Sequence, residues 1–175
     1  MRGTREKPRL DDHGRPADAA RLPAWATAYI LEALAALSAG EYERDLGSSH
    51  GGVLGTLAHL YSTDLIWTAR LKGERPPALL APSALPTRPE LWPLWSVQLN
   101  ERRAFAAALR PGQQLHYTNL QGEAMVSRVD EALRHMINHA SYHRGQVVTL
   151  LRQLGHAAPN TDLIRFYRER STLER

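Results

Sequence analysis

The sequence predicts an all-α protein: a four-helix bundle with a long crossover between helices 2 and 3 and a small β-hairpin before helix 4. Three observations carry that expectation. Four stretches hold apolar residues at helical spacing and are bounded by Gly or Pro. A connection containing Pro76, Pro77, Pro82 and Pro86 is extended and long enough to cross a bundle. The chain has 175 residues and no cysteine, so a buried apolar core rather than a disulfide framework must hold it together.

Taken in order, residues 1–22 mix Arg, Lys, Asp, Gly and Pro with almost no apolar periodicity and read as a flexible tail ahead of a bundle domain over residues 23–170. His13, in that tail, is expected to be solvated. Helix 1 begins at Pro23, carries Trp25, Tyr29, Leu31, Leu34 and Leu37, and ends near Gly40. A link over residues 41–49 and the glycines Gly47, Gly51 and Gly52 lead into helix 2, residues 53–72. Leu54, Leu57, Leu60, Tyr61, Leu65, Ile66, Trp67 and Leu71 make it apolar on more than one side, so it is expected to be mostly buried.

Gly73 ends helix 2 and the proline-rich crossover follows. Thr87 and Glu90 have capping-box spacing, and Trp92, Trp95, Leu99, Phe105 and Leu109 carry the stripe of helix 3 up to Pro111. Trp92 and Trp95 are read as core or dimer-contact residues. Residues 115–118 and 124–127 flank a turn over residues 120–123 and form the hairpin. Ser127 is placed to cap helix 4, with Asp130 and Glu131 in its first turn and Gly155 as the stop. Residues 161–169 read as a short helix or strap packed on the bundle.

Composition narrows the function. Lys and Arg exceed Asp and Glu only by 22 to 18, no block of like charge appears, and the arginines are spread over several elements, which argues against a nucleic-acid surface. No run approaches the length of a membrane span and residues 1–21 lack the apolar centre of a signal peptide, so a cytoplasmic protein is expected. Without cysteine, any transition-metal site must use nitrogen and oxygen ligands.

Residues 135–146 hold the chemistry: His135, His139 and His143 recur every four residues on helix 4. Residues four apart lie one above the other, so His139 and His143 can face one ion. His135 and His143 are about 12 Å apart along the axis and cannot share it. His143 falls near the middle of the apolar face, where an imidazole needs a partner: either a metal, or a hydrogen bond to a backbone carbonyl or Tyr142. His59, on helix 2, lies roughly opposite the side defined by Leu57, Leu60 and Leu71, so periodicity alone does not bring it to the pair. His50 stands at the start of helix 2, where it can border the cleft, but it reads first as a solvated loop residue, as do His116 and His156. Arg144 projects away from the core face and suits a surface salt bridge. Gly145 in a helix interior implies that a neighbouring group approaches closely, and Gln146 can hydrogen-bond across the bundle.

The ending H-x-x-x-H-R-G-Q of residues 135–146 resembles the DinB/YfiT-like family of metal-binding four-helix bundles. So do residues 55–60 with Asp64, Ile66 and Trp67 following, and Asp162, Leu163, Ile164, Phe166, Tyr167 and Arg168 near the C-terminus. The likeness covers about residues 24–170. It implies a three-histidine metal site of His59, His139 and His143, and a homodimer. The family's Asn-x-x-Trp-type start is not recognisable in helix 1.

Three neutral imidazoles leave a divalent ion with an open position, the arrangement of catalytic sites; zinc and nickel suit it, and iron is compatible. Members of the resembled family include transferases and isomerases that use low-molecular-weight thiols. The resemblance therefore implies a metal-dependent thiol S-transferase or related detoxification or stress enzyme, with a small-molecule thiol cosubstrate and an electrophile as its partners. A non-catalytic metal-binding bundle with a dimerisation or stress-related role is the alternative, and a metal-dependent hydrolase a further one.

Overall fold

A computed structural model describes residues 21–110 and 112–173. Most of the expected tail and His13 lie outside the described residues. The elements are α1 (Leu22–Ala33), α2 (Ala39–Glu43), α3 (Val53–Leu71), α4 (Arg88–Ala108), β1 (Gln114–Thr118), β2 (Ala124–Arg128), α5 (Val129–Gln153) and α6 (Leu163–Leu173). Single 3₁₀ turns at Leu34–Ala36 and Pro82–Ala84 punctuate the connections.

The long helices α1, α3, α4 and α5 form the bundle, with α3 and α1 each packed against both α4 and α5. Leu57, Leu91, Trp95, Val147 and Leu151, all at 2% exposure or less, lie at its centre. A smaller cluster of Leu71, Leu115, Val129, Ala132 and Met136 fills the end covered by the hairpin. The strands pair antiparallel with Leu115 opposite Ser127 and Tyr117 opposite Met125.

Helix boundaries follow local chemistry. Helix 1 is shorter than expected, because the 3₁₀ turn and the extended Leu37 break it before Gly40. Ser38 then starts α2 with a full capping box, its hydroxyl receiving the Glu41 amide while the Glu41 carboxylate receives the Ser38 amide. Thr87 and Glu90 form the expected box on α4. The cap of α5 is Arg128 rather than Ser127: Ser127 is paired within the β-ladder, which runs to Arg128 itself, and the Glu131 carboxylate receives the Arg128 amide at 3.2 Å. Trp25 and Tyr29 of α1 donate to Glu169 at 2.7 and 3.3 Å, which ties α6 to the bundle. No helix among the described residues is long and apolar enough to cross a membrane.

Candidate metal centre

The centre forms where α3 and α5 pack side by side. On α3, Leu57, Ala58, Leu60 and Tyr61 are all buried, because α4 covers one side of the helix and α5 the other. His59 emerges from this two-sided helix facing α5, a placement that a single apolar stripe does not reveal. On α5, His139 and His143 are one turn apart and face α3.

Three ring nitrogens converge. Nε2 of His139 lies 3.2 Å from Nε2 of His59 and 3.2 Å from Nε2 of His143. Nitrogens bound to a tetrahedral zinc ion at about 2.0–2.1 Å are separated by roughly 3.3 Å, a spacing with which these two hydrogen-bond-length contacts are compatible. Nδ1–H of His143 donates to the Gln146 side-chain oxygen at 2.7 Å, which leaves Nε2 with its lone pair free to face His139. The Gln146 amide in turn donates to Ser49 Oγ at 3.2 Å, joining α5 to the loop before α3.

Burial is the largest cause that lowers the affinity of all three imidazoles for protons. It brings His59 and His139 to about 4, with the neighbouring histidines adding to the shift. His143 is shifted in the same direction, against the opposing effect of Gln146. Near neutral pH the three are therefore neutral, the form in which imidazole binds metal.

A fourth histidine joins them, the less favoured of the two readings of His50. His50 is half-buried rather than solvated, and its ring stacks on that of His59 with centroids 4.2 Å apart and planes 17° apart. His50, His59 and His143 each offer a ligating atom within 4.8 Å of the others. The signal lies in the glycines around it. A Cβ on Gly55 would stand 1.9 Å from the His50 carbonyl oxygen, and one on Gly52 would stand 2.1 Å from that of Arg44. Only glycine lets the 44–50 loop lie this close to the start of α3.

Other expectations need correction. Arg144 is 2% exposed, not a surface residue, because α5 is covered on two sides; it donates to Ser141 Oγ at 3.0 Å. Burial lowers its pKa to about 10, and the Asp64 charge works against that shift. Gly145 has nothing within 4 Å of the place a Cβ would occupy, so no close approach explains it. His156 is half-buried rather than solvated, its Nε2–H donating to the Glu41 carboxylate at 3.1 Å. His116 is exposed as expected, and Trp92 is 37% exposed whereas Trp95 is core.

Behind the histidines lies a buried polar network. Asp64 receives Trp95 Nε1–H at 2.8 Å and pairs with Arg102, while Gln98 donates to the Asp64 carbonyl at 2.7 Å and to Thr68 Oγ1 at 2.6 Å. These bonds fix α3 against α4 one turn beyond His59. His135 is exposed and not part of the convergence; its ring lies 5.7 Å from that of His139 and 5.2 Å from that of Trp67. Arg70 sits over Trp67 and Tyr117 and donates to the Thr118 carbonyl at 3.1 Å, so the hairpin borders this side of the site.

A model of the DinB family matches residues 18–173. The chain belongs to the DinB family. Among curated DinB relatives, the Protein DinB of Bacillus subtilis (strain 168) is 29% identical over 148 residues, spanning 79% of this chain and 85% of that protein. In this DinB-family member His50, His59 and His143 form a cluster that could hold a metal ion, and His139 Nε2 lies 3.2 Å from His59 and from His143.

Proposed function

We propose that His59, His139 and His143 hold one divalent cation, zinc or nickel with iron also compatible, and that the protein uses it as a metal-dependent S-transferase acting with a low-molecular-weight thiol. The two 3.2 Å approaches that His139 Nε2 makes, to His59 Nε2 and to His143 Nε2, carry the metal reading. Nitrogen-only donors suit these ions, and three protein ligands leave room for a reacting group.

A divalent cation in this position supplies the positive charge that favours a thiolate over a thiol near neutral pH. The chain has no cysteine, so the thiol comes from a cosubstrate. The surrounding residues divide the remaining work. Gln146 holds the His143 tautomer. His135, exposed and with its ring 5.7 Å from that of His139, offers a ring beside the site against which the carbon skeleton of an electrophile can rest. A homodimer in the cytoplasm completes this reading.

A second reading, a non-catalytic metal-binding bundle, is favoured by one observation: a fourth imidazole, His50, packs against the rings of His59 and His143. Elemental analysis of untagged protein tests the shared premise, with about one ion per chain expected and its loss in His143→Ala. Metal-free protein as isolated, unable to take up zinc or nickel, would overturn both readings. Assay of the loaded protein with a panel of bacterial thiols and a model electrophile separates them, because acceleration with none of the thiols rejects the transferase.

A further inference from the structure

Three histidines account for the site proposed above, yet the structure brings a fourth to it. His50 is held there by its backbone. Leu46 N–H donates to the Gly51 carbonyl at 2.7 Å, Gly51 N–H to Ser48 at 2.9 Å, and Gly52 N–H to His50 itself at 3.0 Å. Gly52 and Gly55 remove the Cβ atoms that would push this loop off α3. Gln146, which orients His143, also reaches Ser49, the residue beside His50. The loop and the ligand helix are thus tied through one carboxamide.

We propose that His50 is a fourth nitrogen donor to the ion, which makes the resting site a four-imidazole one; this rests on the three-histidine reading. The ring of His50 lies 4.2 Å from that of His59 and 5.1 Å from that of His143. Its ligating atom is within 4.8 Å of theirs, against the roughly 3.3 Å edge of a tetrahedral nitrogen set. With His50 engaged, the ion has the closed surroundings of a structural site; with His50 turned back onto the face of His59, one position opens. A reacting thiol therefore competes with an imidazole of the protein itself.

Cobalt(II) alone is the probe, because its visible absorption reports the number and kind of donors. Wild-type protein, His50→Ala and His50→Phe are titrated with cobalt, and far-UV circular dichroism checks their fold. Phe keeps a ring against His59 without a nitrogen, so it serves if the Ala variant does not fold. The expected result is cobalt binding by all three, with shifted bands and at least about tenfold weaker affinity in both variants. Added imidazole is expected to return the His50→Ala spectrum to that of wild type. Identical bands and affinity in wild type and variants would overturn the fourth donor while leaving the three-histidine site standing. Failure of the wild-type protein to bind cobalt, zinc or nickel would overturn both.

Discussion

His143 donates its Nδ1 proton to Gln146 at 2.7 Å, and that bond decides which nitrogen of the ring faces His139. An imidazole free to choose its tautomer spends part of its time with a proton where the ion should be. Gln146→Leu is therefore expected to weaken zinc affinity by about 10- to 100-fold, the usual range for losing the partner of a ligating histidine, with little change in folding. Gln146→Glu, which still accepts from Nδ1, is expected to keep the affinity. Competition against a chromophoric chelator measures both, and equal affinities for Leu and wild type would remove Gln146 from this role.

Asp64 is expected to matter for stability more than for the metal. Its carboxylate is buried between Trp95 and Arg102, with Arg144 also under its influence. Asp64→Ala leaves two buried guanidinium groups without their counter-charge, a loss of about 3–5 kcal/mol by analogy with other broken buried ion pairs. Urea unfolding reads this directly. Asp64→Leu combined with Arg102→Met is expected to recover part of the loss, since the Arg102 cation leaves with its partner while Arg144 stays without its counter-charge; a double variant no better than Asp64→Ala would place the cost in packing instead.

Much of the fold was legible because its signals are local. Thr87 with Glu90, Gly73 and the crossover prolines act within a few residues, and the elements they bound appear where expected. His139 and His143 were legible for the same reason, being one helical turn apart. His59 was not, because α3 is buried on two sides and a single stripe hides its second contact. Arg144 misled for a related reason: a helix packed against both α1 and α3 buries a wider arc than its apolar residues outline. His50 depends on a loop folding back across the start of α3, a long-range event whose only sequence trace is the spacing of Gly52 and Gly55.

Two glycines in helices give opposite expectations. Gly145 is exposed with open space at its Cβ position, so Gly145→Ala is expected to raise stability by about 0.5–1 kcal/mol through helix propensity alone. At Gly55 the new Cβ would stand 1.9 Å from a backbone carbonyl oxygen, which cannot swing aside as a side chain can. Gly55→Ala is expected to lower stability by about 1–3 kcal/mol despite the same gain in propensity. Thermal unfolding of the pair decides it; stabilisation by Gly55→Ala would mean that the 44–50 loop does not rest on α3.

The metal-free protein should lose stability on mild acidification, and the sign follows from where protons bind. Burial first, then the neighbouring imidazoles, lowers His59 and His139 from 6.5 to about 4 in the folded chain. In the unfolded chain each takes up its proton near pH 6.5. Between about pH 6.5 and 4 the unfolded state holds more protons, so stability falls as pH falls through that window and levels off below it. Both side chains are partly solvent-exposed, which screens the effect below what the shifts alone would give. Tm of chelator-treated protein between pH 8 and 4 should therefore decline more steeply for wild type than for a His59→Gln, His139→Gln double variant, whose amides take up no proton. Parallel curves would show that the two imidazoles are not held neutral by the fold, and the ligand-ready state at neutral pH would need another cause.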